Sequence, residues 1–206
     1  MLKKEYEILY AFAESPWKRY TEREIKELTR KKSESYVYTT LKKFVKQGIL
    51  GEQKAGNVTL YSLNINSDKA CAYAGFCAEY VAWNKKNIPY GDLEKIAAKI
   101  SAGFYTFIIT GSYAKGSQKK ESDLDIVLIT EDCTDTRKIY ADLRYMCEMN
   151  IPRVHLYVFK KSEFKEMLLD KKANYGKETA RNNLLLFGGG SYYKTIAEAI
   201  KNGFTG

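Results

Sequence analysis

The chain has 206 residues, 45% of them hydrophobic, which suits one large domain or two small ones with filled cores and excludes wholesale disorder. No apolar run approaches the roughly 20 residues that span a bilayer, and Met1-Leu2-Lys3-Lys4-Glu5-Tyr6 meets charge at once rather than an apolar signal region, so no membrane role is expected and the expected compartment is the cytoplasm. A formal net charge of +9 favours polyanionic partners, nucleotides or nucleic acid. Taken in chain order, residues 2–14 place Tyr6, Leu9 and Ala13 on one face with Ile8 and Phe12 beside them, which is helical spacing. Ser15-Pro16 breaks that helix.

Thr21 with Glu24 three residues later reads as a capping box opening a short helix that buries Ile25 and Leu28. Ser33 caps a third helix, where Val37, Leu41 and Phe44 recur at i, i+4 and i+7, and Gly48 ends it. Two short strands follow, at 49–54 and 58–63, with Ala55-Gly56-Asn57 as the turn. Three helices followed by a hairpin, with a capping Ser, Val and Leu four apart, and Gly leading two aliphatics into the hairpin, resemble the winged helix of DNA-binding regulators. That resemblance covers residues 1–66 and implies that the third helix lies in a DNA major groove. Ser35, Tyr36, Thr39, Lys42 and Lys43 point away from the core and become the candidate contacts to duplex DNA. The same solvated face would also serve protein contacts.

Residues 67–206 form a second region. Its first part, about 67–101, reads as a helical linker: Ala70, Ala74, Cys77 and Val81 share a face, and another helix runs from Asp92 to Ile100 after Pro89. Strands are expected at 104–110, 124–130 and 154–159. A helix over 135–149 carries Ile139, Leu143 and Met146 and stops at Asn150 and Pro152. The tail holds a helix near 176–186, a turn at Gly188-Gly189-Gly190 and a helix over 191–202. The fold class is therefore α+β, an N-terminal winged helix-turn-helix followed by an α/β domain with a small mixed sheet. Cys71, Cys77, Cys133 and Cys147 lack Cys-x-x-Cys spacing and His155 is the single histidine, so reduced packing cysteines are expected rather than a zinc site.

The chemistry sits between residues 104 and 130. Gly111 follows directly on an apolar strand, where a glycine lets the backbone approach a phosphate, and Ser112 adds a hydroxyl at a helix start. Asp123 and Asp125 lie two apart on the next strand, so both carboxylates leave one face while Leu124 and Ile126 enter the core. Two carboxylates on one face repel unless a positive group sits between them, and a divalent metal bound to phosphates supplies that charge.

The run Phe107-Ile108-Ile109-Thr110-Gly111-Ser112-Tyr113-Ala114-Lys115-Gly116 with Ser122-Asp123-Leu124-Asp125-Ile126-Val127 resembles the minimal nucleotidyltransferases of the DNA polymerase β superfamily. The pattern there is strand, Gly-Ser, x-Ala-Arg-Gly, then Ser-Asp-x-Asp, and Lys115 stands at the Arg position. The segment Asn182–Gly188 with Tyr192-Tyr193 looks like the tail of archaeal proteins that fuse a winged helix to this domain. The resemblance implies Mg²⁺ or Mn²⁺ held by Asp123 and Asp125, a nucleoside triphosphate held by Gly111, Ser112, Lys115 and Ser122, with charge from Lys119 or Lys120, and attack of an acceptor hydroxyl on the α-phosphate. Active relatives carry a third carboxylate on the next strand; here that place is His155, which could serve as a base or mark lost turnover. Two functions therefore stand: a transferase, or a catalytically weak or inactive transcriptional regulator that senses nucleotide. Relatives of this size often work in toxin–antitoxin pairs, so a protein partner and a homodimer join the expected partners by analogy alone.

Overall fold

In the computed structural model, which describes residues 4–206, the chain divides into two compact units. One comprises the residues up to Ala78 together with Gly189–Gly206; the other is Glu79–Gly188.

The first unit opens with α1 (Tyr6–Glu14), which buries Ile8, Leu9, Phe12 and Ala13. The expected helix began at residue 2, and residues 1–3 lie outside the described part. A short strand β1 (Arg19–Tyr20), not expected from sequence, precedes α2 (Glu22–Leu28). The capping box is formed: Thr21 Oγ1 accepts from the Glu24 amide at 3.3 Å and Glu24 Oε2 accepts from the Thr21 amide at 2.7 Å. Ile25 is fully buried, but Leu28 is 58% exposed, contrary to expectation. With seven residues the helix reaches the core through one side chain, and the chain then turns, Thr29 Oγ1 donating to the Ile25 carbonyl at 2.7 Å.

In α3 (Glu34–Lys46) Ser33 Oγ accepts from the Tyr36 amide at 3.2 Å, and Val37, Leu41 and Phe44 are buried as the spacing requires. Gly48, at φ +71°, turns the chain into β2 (Leu50–Ala55) and β3 (Val58–Leu63). Ala55 pairs with Val58, so the turn is Gly56-Asn57 alone. β1 adds to the other side of β3, giving the antiparallel order β1-β3-β2.

α4 (Asp68–Trp83) starts in the first unit and ends in the second. The last helix, α10 (Gly189–Lys201), belongs to the first unit. Its Tyr193 hydroxyl donates to the Ala13 carbonyl at 2.9 Å, and Gly75 of α4 meets Gly189 backbone to backbone, with no room for a Cβ on either. Trp17 and Phe204 meet edge to face at 5.2 Å. The expected glycine turn thus shrinks to Gly188 at φ +80°, while Gly189 and Gly190 are already helical, because close helix packing needs a residue without a side chain at Gly189.

In the second unit, β4 (Tyr105–Thr110) lies antiparallel to β5 (Leu124–Thr130) and to β7 (Leu184–Phe187). β5 runs parallel to β6 (Val154–Lys160), the two joined through α7 (Thr136–Met149). The order is β6-β5-β4-β7, the small mixed sheet anticipated from sequence. Asp135 caps α7 by accepting from the Arg137 and Lys138 amides, both at 3.1 Å. Its buried stripe is Ile139, Leu143 and Cys147, with Met146 only half-buried. Leu124, Ile126, Leu128, Val154 and Leu156 share a core with this stripe and with Leu93 and Ile96 of α5 (Tyr90–Ala97).

Two assignments change. The helix expected over 176–186 is α9 (Tyr175–Arg181) followed by β7, because Leu184-Leu185-Leu186 is a buried strand beside β4. A helix α8 (Lys161–Leu169), which buries Phe164 and Leu168, occupies a stretch that carried no assignment. Among the described residues no helix is long and apolar enough to cross a membrane.

Cys71, Cys77 and Cys147 are buried and Cys133 is exposed. Burial pushes the Cys77 thiol up to about 12 and the Cys147 thiol up to about 11. Because the thiolate is the reacting species, brief treatment of the folded protein with iodoacetamide at mildly alkaline pH should label Cys133 alone. Peptide mass spectrometry reads the result; label on Cys77 before global unfolding would contradict this packing.

Candidate active site

Three strands bring the candidate residues to one end of the sheet. Thr110, the last residue of β4, pairs with Asp125 near the start of β5, and Asp125 pairs with His155 of β6. Alternation sends Leu124, Ile126, Val154 and Leu156 to the core, so Asp125, His155 and Tyr157 emerge on the opposite face. His155 Nε2 lies 3.4 Å from Asp123 Oδ2, and its Nδ1 lies 3.4 Å from Asp125 Oδ1. The imidazole thus stands between the two carboxylates, where a protonated ring can donate to both. Burial pushes the Asp125 carboxyl above its ordinary value; the neighbouring His155 opposes that rise, and the Asp123 charge adds to it.

Gly111 opens a short helix, α6 (Gly111–Lys115), at φ +68°, and Gly116 closes it at φ +71°. A Cβ on Gly111 would overlap the Asp125 carboxylate, so the glycine is required both by its backbone angle and by this contact. Asn182 fixes the same corner: its side-chain amide donates to the Gly111 carbonyl at 3.0 Å, and its own carbonyl accepts from Thr110 Oγ1 at 2.7 Å. Among the described residues the Ser112 hydroxyl makes no hydrogen bond, which leaves it available to a ligand.

The other sequence candidates sit differently. Ser122 Oγ accepts from the Lys119 amide at 2.8 Å, so its hydroxyl closes the loop before Asp123. Lys115 Nζ lies 3.8 Å from Glu178 Oε1, with both side chains half exposed. Lys85, two residues past the end of α4, donates to the Ala114 carbonyl at 3.3 Å and brings an unforeseen cation to α6.

Beyond His155 lies an aromatic group; alternation put Tyr157 and Phe159 on the His155 face, but the sequence assigned them no role. The Tyr157 and Tyr175 rings are 4.4 Å apart, with Phe159 6.5 Å from Tyr157 and 6.4 Å from Tyr175. Among the described residues the buried Tyr175 hydroxyl has no hydrogen-bond partner, and burial, then the Asp125 charge, raises its pKa. The i, i+2, i+4 spacing of His155, Tyr157 and Phe159 was the available signal for one shared face. Asn182 and Tyr175 gave none, because their proximity comes from the long return of the chain to β7.

As to metal, among the described residues no group of three or more His, Cys, Asp or Glu could by itself hold an ion. Two carboxylates on one face nevertheless fit the way Mg²⁺ is held beside substrate phosphates, through one or two carboxylates with the remaining oxygens from phosphate and water. His155 contributes nitrogen, a donor better suited to Mn²⁺ than to Mg²⁺.

With this geometry in place, comparison with known families matches residues 93–180 to the nucleotidyltransferase domain. This stretch is a nucleotidyltransferase domain. It contains Gly111, Ser112, Asp123, Asp125 and His155. A solved structure described as "Crystal structure of the toxin-antitoxin with AMP-PNP" is similar at 13% identity and a TM-score of 0.40, over 56% of this chain and 88% of that one. No curated protein matches the chain.

In the first unit, the candidate DNA contacts lie on α3. Ser35 and Thr39 are exposed, and Thr39 Oγ1 bonds back to the Ser35 and Tyr36 carbonyls at 2.7 and 3.1 Å. Tyr36 is half-buried, whereas Tyr38, not singled out before, is 47% exposed. Lys42 and Lys43 are outside the core as expected but not free: Lys42 Nζ pairs with Glu52 at 2.6 Å and Lys43 Nζ with Glu5 at 2.7 Å.

Proposed function

We propose that the nucleotidyltransferase unit binds a nucleoside triphosphate with Mg²⁺ or Mn²⁺ and transfers a nucleotidyl group to a hydroxyl acceptor. The observation that carries this reading is the meeting of Asp123, Asp125 and His155 beside Gly111 and Ser112. The Gly111 backbone and the Ser112 hydroxyl would receive phosphate oxygens, and Lys115 would add charge once released from its exposed pair with Glu178. Asp123 and Asp125 would hold the divalent ion, which supplies charge neutralisation at the phosphates. His155 would take the acceptor proton. Calorimetry of the full-length protein with ATP and Mg²⁺ or Mn²⁺ tests the binding step: heat of binding should appear for the native chain and vanish for the double substitution Asp123→Ala, Asp125→Ala. Equal affinity in the double variant would sink the reading. Incubation with labelled ATP, CTP, GTP and UTP then tests turnover.

A second reading is a nucleotide-sensing protein without turnover. It is favoured by one feature, an imidazole standing between the carboxylates where active relatives would place a third acid. Both readings include a DNA-binding winged helix in the first unit, supported by the order α1-β1-α2-α3-β2-β3 and the exposed face of α3. Exposed ion pairs are worth about 0–1 kcal/mol, so phosphates can take Lys42 and Lys43 from their glutamates. In full-length protein Lys43→Ala should weaken every duplex alike and lower the salt slope by about 1. Tyr36→Ala with Thr39→Ala should instead erode discrimination between sequences. Binding to genomic fragments that ignores salt would remove this part of the proposal. A protein partner of the toxin–antitoxin kind, and self-association, rest on resemblance alone.

A further inference from the structure

β6 is an outer strand of its sheet, and its pairing with β5 fixes which of its backbone groups look outward. Leu124 is in register with Val154, and the Leu124 amide donates to the Arg153 carbonyl at 2.8 Å. In such a parallel ladder Arg153, His155, Tyr157 and Phe159 turn their backbone groups toward β5, and Val154, Leu156 and Val158 turn theirs away. Val154 is buried, Leu156 lines a groove of about 260 Å³ between this edge and α7, and Val158 is half-buried. Natural proteins blunt an outer strand with proline, lysine or a bulge. Here the register with β5 is unbroken from Val154 to Lys160, and proline and lysine stand only at the two ends, Pro152 and Lys160.

The groove lies on the α7 side of the sheet. Tyr140, Arg144 and Glu148, successive turns of α7, line it together with Arg153 of the strand entry. Arg153 is exposed, with no acid partner among the described residues, and Arg144 keeps only a loose contact, Nε to Glu148 Oε1 at 3.9 Å. An acid entering the groove therefore meets guanidinium groups it does not have to win from a close pair. A second copy of this chain fits the edge poorly. α7 packs over β6 itself, so two copies joined edge to edge would set their α7 helices over adjacent strands. Strands pair at about 4.8 Å, whereas packed helices need about 8–10 Å. A lone strand brings no helix and avoids that collision.

We propose that the β6 edge is the docking site for an extended segment of a partner protein, rich in β-branched residues and carrying two adjacent acids. The segment joins the sheet beyond β6 and exchanges backbone hydrogen bonds with Leu156 and Val158. Successive side chains of a strand leave opposite faces. One acid therefore meets Arg144 on the α7 side, and the other meets Arg153 on the far face. The inference goes beyond the nucleotidyl-transfer reading and does not depend on it.

The test uses the full chain and a fluorescein-labelled valine-rich octapeptide with two adjacent glutamates at its centre, read by anisotropy. Methylating one peptide amide nitrogen at a time should weaken binding roughly two- to ten-fold at every second position, because only alternate amides of an added strand face β6. The protein is unchanged in that scan, so misfolding cannot imitate the result. Arg144→Ala and Arg153→Ala should each weaken binding up to about five-fold. Arg153→Lys should stay close to the native chain, and a peptide with lysines in place of the glutamates should not bind. Hydrogen exchange should slow at the Leu156 and Val158 amides when the peptide is added, and stay as it was at His155 and Tyr157, which already face β5. No binding by the native chain, a scan without alternation, unchanged affinity in both alanine variants, or unaltered exchange at Leu156 and Val158 overturns the proposal. So does a native dimer that Val158→Pro dissolves, since proline at an outward amide spares the bonds to β5 and that result gives the edge to a second copy.

Discussion

Replacing Gly111 with alanine should abolish Mg²⁺–ATP binding, and Gly116→Ala should not. The two glycines have nearly the same backbone angle, φ +68° and +71°. Alanine at either therefore suffers the strain of a left-handed conformation, about 1–3 kcal/mol, a fall of several degrees in Tm for a chain of this size. Only Gly111 carries a second effect, because its new Cβ would overlap the Asp125 carboxylate, whereas the nearest atoms to a Cβ on Gly116 are the end of the flexible Lys85 side chain at 3.9 Å. Asp125 cannot retreat freely, since it is paired between Thr110 and His155 in the sheet. The expected pattern is therefore similar thermal destabilisation in both variants, larger at Gly111, with nucleotide binding lost at Gly111 alone. Calorimetry beside a thermal melt reads both. Retained nucleotide binding in a folded Gly111→Ala protein would show that Asp125 can move without consequence, and the corner would then lose its assigned role.

His155→Asp should tighten divalent-cation binding by roughly ten-fold or more, the worth of about 1.4 kcal/mol or above. The aligned register Asp125↔His155 places any residue at this position beside the carboxylates. The imidazole can supply a nitrogen or a positive charge there; an aspartate supplies an anionic oxygen, the donor Mg²⁺ prefers. Without metal, three carboxylates at one sheet end repel, so the variant should melt below the native chain in chelator and regain stability as Mg²⁺ is added. The native chain should respond much less. If turnover was limited by the missing acid, labelled-nucleotide transfer should also rise. Unchanged metal affinity in a folded variant would reject His155 as the stand-in for that acid.

How much of this was legible beforehand depends on what sets each feature. The Gly111-Ser112 corner and the paired aspartates were readable because they are local, fixed by adjacency and by the two-residue repeat of a strand. His155 was readable by alternation, since Val154, Leu156 and Val158 claim the other face. The capping residues Thr21, Ser33 and the stripe Val37, Leu41, Phe44 were local in the same way. Leu184–Phe187 was not, because a short apolar run fits a buried strand or a helix equally well and only its partner β4, far away in sequence, decides. Leu28 failed for the opposite reason: its spacing from Ile25 is right, but α2 is too short to bring both to the core. Asn182 and Tyr175 enter the site through the return of the chain, which no window along the sequence contains.

The unit from Glu79 to Gly188 is spliced into the other one, which resumes at Gly189. Its two chain ends lie near each other, as the bond from the Trp83 indole to the Leu186 carbonyl at 2.9 Å attests. In the host unit the flanking positions are adjacent too, where Gly75 touches Gly189. Such an arrangement behaves as a cassette. A chain cut after Leu63 or before Gly189 would strip α4 or α10 from the host and leave Tyr193 and Ala13 unmatched. Excising 79–188 and joining Ala78 to Gly189 through a short flexible bridge would instead keep α1, α2, α3 and α10 whole and α4 as far as Ala78. That spliced protein, not a simple truncation, is the one that can test the proposed DNA binding in the absence of residues 79–188, and the excised cassette, closed by a bridge between its own ends, its converse.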